Sequence, residues 1–243
     1  MDGAFSDVVA RDRMVRANSG RWRPDAVFAR GESALLRVPR GGACMVVGVG
    51  DVGEVVQLVE DHAADLAGAE FLILPYGTLH AHPGRVERAL GVEPLGPWEW
   101  MWCRTAPAVQ PGEEHVVPLA HRSAAEIDAL VEAANPSTHV RRDSSVVWWG
   151  YERAGELLGV CGLTLPRPGL ERENGLVLAG LGVHPDARRQ GIGAAMMAAI
   201  TRWGIEQYGI VHYGVWLDND SALRIYRRLG YNAGAWVQSY TRR

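Results

Sequence analysis

The sequence has no lysine, few cysteines and no long apolar run. All 25 basic residues are arginine, which we attribute to genome composition rather than to function. Cys44, Cys103 and Cys161 lie far apart and form no CxxC pair, which indicates neither a disulfide framework nor a zinc site. No stretch approaches the roughly 20 apolar residues that a membrane-spanning helix needs.

The charge and the first residues exclude further classes. A net charge of -3 argues against a nucleic-acid coat and against a polybasic membrane anchor. The N-terminal segment has no apolar stretch after a basic head, so we expect no signal peptide and a cytoplasmic location. His80 and His82 have no further candidate ligands, so we predict no metal. We therefore expect no nucleic-acid partner and no membrane partner.

The apolar periodicity predicts an α/β protein with a mixed central sheet flanked by helices. Residues 6–18 resemble one helix, 42–51 a buried strand and 52–68 an amphipathic helix. Later in the chain, Ser123 followed by Glu126 predicts a capping box at a helix start. A segment rich in Pro and Gly at 106–113 predicts a boundary between a smaller N-terminal α/β domain, 1–110, and a second domain, 114–243.

The most informative segment is the stretch LGVHPDARRQGIGAAMM, residues 181–197. A strand that enters a helix through a glycine-bearing loop directs several backbone N–H groups, and the positive end of the helix dipole, at one point. Gly191 and Gly193 would let an anion approach the backbone, and Arg188 and Arg189 could add charged contacts. The loop is neither GxGxxG nor GxxxxGK followed by Ser or Thr. Taken alone, the loop fits a helix start that is rich in glycine for packing better than a diphosphate cradle, and the choice between them depends on the rest of the sequence.

Two motifs in order give this loop a context. Leu181-x-Val183-x-Pro185 precedes Arg188-x-x-Gly191-x-Gly193, and further along stands Asn219-x-x-Ala222-x-x-Ile225-Tyr226-x-x-x-Gly230-Tyr231. From about residue 114 to 243, the sequence therefore resembles the GNAT superfamily of acyl-CoA-dependent N-acyltransferases. A weaker similarity between residues near 88–102 and 227–240 allows the N-terminal domain to be a degenerate copy, as in tandem members of that superfamily.

The resemblance implies an acyltransferase that uses acetyl-CoA. Backbone groups of Leu181, Gly182 and Val183 would pair with the pantetheine arm, and Asn219 would hydrogen-bond to it. Tyr226 would protonate the departing thiolate, and the Val183 amide would polarise the thioester carbonyl. Arg188 and the backbone amides of the loop and the helix start would hold the diphosphate. These amides belong to Arg189, Gln190, Gly191, Ile192, Gly193 and Ala194.

One part of the family pattern is missing, because the strands over 176–183 and 211–217 carry no carboxylate that could deprotonate an amine. His184, Glu173, His212 and a water molecule stay open as candidates for the base. Loop residues Arg141 and Arg142 could meet an acidic acceptor, although solvated loop charges are commoner. Trp148 and Trp149 should face opposite sides of one strand, one of them packing and the other available to an acceptor groove.

The sequence thus predicts an N-acetyltransferase acting on a small-molecule amine or an amino acid. A longer acyl-CoA or a carrier-bound acyl group is an alternative donor. A non-catalytic CoA-binding module is the alternative from a different class, because a base is missing. The N-terminal domain would complete the acceptor pocket or mediate a homodimer.

Overall fold

The computed structural model describes residues 3–136, 138 and 145–242. These residues form two compact units, and neither unit is continuous in sequence. The first takes its described residues from Met1–Trp100, Val215–Asn219 and Ala233–Arg243, and the second from Met101–Gly214 and Asp220–Asn232. The chain thus first passes between units at Trp100, and the predicted division into 1–110 and 114–243 stays a prediction.

The first unit begins with two short helices and continues as an α/β arrangement. Its elements are α1 Gly3–Arg11, α2 Arg13–Asn18, β1 Ala26–Arg30, β2 Ser33–Arg40, β3 Ala43–Val49, α3 Val52–Asp61, β4 Ala69–Pro75, α4 Thr78–Ala81 and α5 Arg85–Leu90. Strand β5, Val92–Cys103, runs on from this unit into the second. The last strand, β11, Asn232–Arg242, lies almost wholly in the first unit.

The sheet of the first unit is mixed. Strands β1, β2 and β3 pair antiparallel, β3 pairs parallel with β4, and β11 pairs antiparallel with β4. In the last pairing Gln238 lies opposite Leu74. A strand from residues 232–242 therefore joins the sheet that the first hundred residues begin.

Helix α3 covers this sheet for reasons that are local in sequence. The carboxylate of Asp51 accepts hydrogen bonds from the amides of Gly53 and Glu54 at 2.9 and 3.0 Å, which caps the helix. Val55 and Val59 are fully buried in a core that also contains Leu72 of β4 and Tyr240 of β11. The predicted amphipathic helix is confirmed over Val52–Asp61, but its predicted extension to residue 68 is wrong, because His62 caps the helix and 62–68 form turns.

The single helix predicted over 6–18 is wrong, because Asp12 interrupts it. The backbone of Asp12 is extended, with φ -104° and ψ 119°, and its carboxylate accepts from the Val15 amide at 2.8 Å. The short aspartate side chain caps a new helix more favourably than it continues the old one.

The second unit contains the two motifs. Its elements are β6 Val116–Pro118, α6 Ala124–Ala134, β7 Val147–Arg153, β8 Glu156–Thr164, α7 Glu171–Asn174, β9 Leu176–Val183, α8 Ile192–Tyr208, β10 Val211–Trp216 and α9 Asp220–Arg228. Strand β10 ends with two residues in the first unit. Strands β6 to β9 pair antiparallel in order, and β9 pairs parallel with β10. The predicted α/β class with a mixed sheet flanked by helices is confirmed.

Helix α6 begins with the predicted capping box. The Glu126 amide donates to the Ser123 hydroxyl at 3.3 Å, and the Ser123 amide donates to the Glu126 carboxylate at 2.9 Å. Ile127, Leu130 and Val131 then bury the apolar face of the helix. Within the described residues, no helix combines the length and the hydropathy needed to cross a bilayer.

Candidate functional site

The loop before α8 presents a run of backbone N–H groups. A short 3-10 turn at Pro185–Ala187 leads into it, and Gly191 is the N-cap residue of α8, with φ 83° and no side-chain hydrogen bond to the helix. From Arg189 to Gly193, five consecutive amides donate to no acceptor among the described residues. The Ala194 amide already donates to the Gly191 carbonyl at 3.0 Å, and the Arg188 amide to Pro185 at 3.3 Å. The amide of Ala194, which the sequence resemblance adds to the cradle, is therefore not open to an anion.

The two glycines of this run leave room that no other described residue fills. A Cβ atom built on Gly191 would meet nothing within 4 Å, and one on Gly193 would meet only Val183 Cγ2 at 3.8 Å. By contrast, a Cβ on Gly182 would lie 2.8 Å from the Ala134 Cβ, so packing against α6 requires that glycine. Packing alone therefore explains Gly182 and does not explain Gly193.

Two side chains of the loop, Arg188 and Gln190, form hydrogen bonds with neighbouring segments. The Arg188 guanidinium donates to the carbonyls of Val183 and Ala134, both at 3.2 Å, and so joins the ends of β9 and α6. The Gln190 side chain accepts from Arg153 at 2.8 Å. Arg189 is exposed and has φ 63°, a strained conformation for a residue with a Cβ. Both arginines are exposed, but only for Arg188 does the described part of the chain supply hydrogen-bond acceptors.

Strand β9 leaves its neighbour β10 shortly after the two begin to pair. The parallel register contains only two pairs, Leu176 with Val211 and Val177 with His212. On the other side, β8 places Val160 opposite Gly182 and Gly162 opposite Ala179, so β9 has one extra residue at a bulge. A bulge bends its strand and increases the local twist. The rest of β9 therefore runs without β10 as a ladder partner.

Gly180 and Asn135 hold this part of β9. Gly180 lies in the bulge with φ 65°, a conformation that glycine adopts without strain. The Asn135 side-chain amide donates to the Leu181 carbonyl at 3.2 Å. The predicted pantetheine partners Leu181, Gly182 and Val183 thus lie on a strand segment that α6 holds from one side.

Tyr226 on α9 lies in an aromatic cluster. Its ring centre is 4.4 Å from that of Tyr213 and 6.1 Å from that of Tyr231. The Tyr213 hydroxyl donates to Met101 Sδ at 3.8 Å, and the Tyr231 hydroxyl shares a hydrogen bond with Thr201. No described residue forms a hydrogen bond with the Tyr226 hydroxyl. Of the three phenols, Tyr226 is the one left to bind another molecule.

Burial keeps the Tyr226 phenol in its acid form. Only 6% of its surface is exposed, and burial, with Cys161 nearby, raises its pKa above the ordinary value of 10.0. The Cys161 thiol contacts the Ala179 carbonyl at 3.9 Å, and burial raises the pKa of this thiol to about 12. Burial therefore favours the neutral, protonated form of the Tyr226 phenol.

The candidate bases and Asn219 lie in different parts of the structure. His212 is buried and bonded to the Asn174 carbonyl at 2.9 Å, whereas Glu173 is exposed. The His184 ring accepts from the Asp186 amide at 3.3 Å, which caps the 3-10 turn. Asn219 belongs to the first unit, where its amide donates to the Trp216 carbonyl at 3.1 Å. The identity of the base therefore stays open.

Both tryptophans of β7 pack within the second unit. Trp149 lies 5.0 Å from the ring of Trp203 on α8, and Trp148 packs against the core beneath α6. Arg141 and Arg142 lie outside the described residues. In the ranges that the structure describes, no three His, Cys, Asp or Glu side chains cluster closely enough to hold a metal.

Sequence reasoning missed Asn135 and the aromatic cluster. Asn135 is the C-cap residue of α6, and its contact with β9 spans 46 residues of chain. For Tyr213 the sequence predicts only a position on a strand, and no neighbouring residue indicates which aromatic ring it contacts. The period-2 pattern of a strand predicts the face of a residue but not its partner.

Strand β9 thus separates from its parallel partner β10 after Val177, the next helix begins at a loop of open amides, and a buried phenol lies on α9. The sequence profile of the acetyltransferase (GNAT) family matches residues 110–231, half of the chain. The chain therefore belongs to the GNAT acetyltransferase family. No curated protein sequence matches it.

Solved structures resemble the chain over nearly its whole length. A structure from Novosphingobium aromaticivorans assigned to the GNAT family is 19% identical, has a TM-score of 0.58, and matches over 96% of each chain. A GCN5-related N-acetyltransferase from Kribbella flavida is 20% identical with a TM-score of 0.56, over 98% of this chain and 95% of the other. At these identities the similarity shows the fold alone.

Proposed function

We propose that the protein is an N-acetyltransferase that moves the acetyl group of acetyl-CoA to a primary amine on a small molecule or an amino acid. The observation that carries this proposal is the run of five open amides from Arg189 to Gly193, in which Gly191 and Gly193 leave room for an anion. Such a run at the N-terminus of a 17-residue helix favours a doubly charged diphosphate. Family membership supports acyl transfer as the reaction class.

The remaining cofactor contacts follow from β9. Where β9 has left β10, the backbone at Leu181 and Val183 offers a place for the amide-bearing pantetheine arm to lie as an added strand. Asn219 is assigned to the same arm by the motif. This arrangement would direct the thioester along β9 toward the bulge, and we propose that the Tyr226 phenol meets its sulfur there.

The chemistry is a direct transfer. The neutral amine nitrogen attacks the thioester carbon, and the Val183 amide is proposed to stabilise the oxygen anion. The carbon–sulfur bond then breaks, and Tyr226 gives its proton to the departing thiolate. The amine proton passes to solvent or to an unassigned base, and the phenolate regains a proton from solvent. The products are an N-acetyl amide and free CoA.

Binding of three related ligands tests the cradle. By calorimetry, CoA and dephospho-CoA should bind with similar dissociation constants, because both carry the diphosphate. Pantetheine lacks the diphosphate and should bind at least a hundredfold more weakly, since charge-assisted hydrogen bonds contribute about 1.5–3 kcal/mol each. Equal affinity for pantetheine and CoA would remove the basis of the assignment.

Replacing Tyr226 with Phe tests the chemistry, with Tyr208→Phe at the end of α8 as the matched control. Release of free thiol from acetyl-CoA is followed over a panel of primary amines. We expect kcat to fall by about 10²-fold in the Tyr226 variant, with acetyl-CoA affinity kept, and to be unchanged in the control. Turnover only with longer acyl-CoA thioesters would favour the alternative donor. Tight binding without turnover of any amine would favour the non-catalytic module.

A further inference from the structure

A hydrogen bond connects helix α8 with the aromatic cluster that contains Tyr226. Thr201 on α8 is completely buried, and its hydroxyl bonds to the hydroxyl of Tyr231. The Tyr231 ring lies 4.9 Å from the ring of Tyr213, which in turn lies 4.4 Å from the ring of Tyr226. Both contacts are edge-on, at 63° and 64° between ring planes. The path from α8 to the phenol therefore consists of fixed contacts within one unit.

The same helix begins at the open amides. Ile192 is its first residue, and Thr201 lies nine positions later, which corresponds to about 14 Å along the axis. A helix of this length is stiff over that distance. The cradle and the Thr201 hydroxyl therefore keep a fixed separation, and the hydrogen bond to Tyr231 relates that separation to the aromatic cluster.

We propose that Thr201 and Tyr231 are positioning residues that fix the Tyr226 phenol relative to the helix that holds the diphosphate. This inference rests on the proposed function, because it takes the start of α8 as the cofactor site and Tyr226 as the acid. The link places the phenol where the sulfur of a cradle-bound thioester arrives. A shift of about 1 Å in a reacting group can reduce a rate about a hundredfold, which gives such a link a catalytic purpose.

Stability alone does not explain this pair. Thr201 is fully buried and Tyr231 is 5% exposed, so both hydroxyls lose water on folding. Replacing both partners of a buried hydrogen bond with apolar groups of the same shape is often nearly neutral for stability. The hydroxyl pair differs from such packing in being directional, because it fixes the position of the hydroxyl end of Tyr231, whose ring contacts Tyr213 and through it Tyr226.

The double variant Thr201→Val with Tyr231→Phe tests the link, because it removes both hydroxyls and leaves no unpaired partner. In thiol release from acetyl-CoA, we expect kcat to fall about tenfold while the dissociation constant of acetyl-CoA changes less than twofold. Thr201→Ser alone, which keeps the hydroxyl, should retain most of kcat. Thr78→Val is the matched control, because that buried hydroxyl donates to the Pro75 carbonyl at 2.7 Å within the first unit.

A spectroscopic measurement separates this inference from the proposed function. With 13C-labelled tyrosine rings, the Tyr226 signal is identified by its loss in Tyr226→Phe. We expect this signal to shift when acetyl-CoA is added to the unchanged protein, and to broaden or split in the double variant. An unchanged kcat and an unchanged signal in the folded double variant would overturn the link. If no amine turned over in any protein but the signal behaved as expected, the link would stand and the proposed transfer would fail.

Discussion

Replacing Gly193 with alanine should stabilise the protein and weaken its binding of CoA. The residue lies in the first turn of α8 at a φ that alanine adopts freely, and the added Cβ would meet only Val183 Cγ2 at ordinary contact distance, 3.8 Å. An exchange of glycine for alanine at a compatible position stabilises by about 0.4–1 kcal/mol, because the unfolded chain loses freedom. In a chain of this size, that corresponds to a rise of roughly 1–4 °C in Tm.

The same methyl group would occupy the space through which a diphosphate approaches the open amides. If one charge-assisted hydrogen bond is lost, the free energy of binding falls by about 1.5–3 kcal/mol. The dissociation constant of CoA should then rise by about 10- to 100-fold. Calorimetric titration with CoA, and thermal unfolding without ligand, measure the two effects separately.

Gly204 in the same helix provides the matched control. A Cβ there would lie 2.6 Å from Val211 Cγ2 and 2.7 Å from Leu176 Cδ2, so Gly204→Ala should destabilise by about 1–3 kcal/mol. It should leave CoA affinity nearly unchanged in the folded protein, because Gly204 lies eleven positions beyond Gly193 in the sequence. If Gly193→Ala bound CoA as tightly as the unchanged protein, the loop would be a packing feature and not a cradle.

Three further predictions concern pH and capping. The Arg122 side chain and the Ser123 backbone lower the pKa of Glu126 from 4.5 to about 2. The stabilisation that Glu126 contributes is therefore full above pH 4.5 and disappears as the pH falls toward 2. In urea unfolding, Glu126→Gln should flatten that part of the curve of stability against pH, and an unchanged slope would contradict this. Asp51→Ala should destabilise the protein by about 0.5–2 kcal/mol, because it removes the cap of α3. Asp51→Ser should recover most of the loss. Equal urea-unfolding midpoints for the two variants would argue against capping. Because burial raises the pKa of Tyr226, any alkaline fall in kcat that it causes should begin above pH 10, and a fall centred near pH 8 must come from another group.

The sequence predicts those parts of the molecule whose cause is local. Ser123 and Glu126 form their capping box within four residues, and the turn between β7 and β8 is built from Ala154 and Gly155, with φ 52° and 83°. Such left-handed pairs match the twist of a two-residue hairpin turn. The glycine-bearing loop was likewise found because its residues are neighbours in sequence.

The parts that were missed depend on partners far away in the chain. Tyr240 shares a core with Val46 although almost 200 residues separate them, and no local pattern in β11 selects β4 as its neighbour. The Thr201–Tyr231 bond also joins two positions whose helix and loop signals say nothing about each other. Local propensity fixes the element, whereas the contact depends on which chain segments meet.

The return of β11 to the first unit also affects how the protein is made. A ribosome that has released the first hundred residues must add about 130 more before Ala233 emerges. At typical rates of synthesis this takes roughly 7–26 s, during which β4 lacks the strand that will cover its edge. Nascent chains in that interval expose a template for pairing with one another, so growth conditions that slow translation should increase their demand for chaperones.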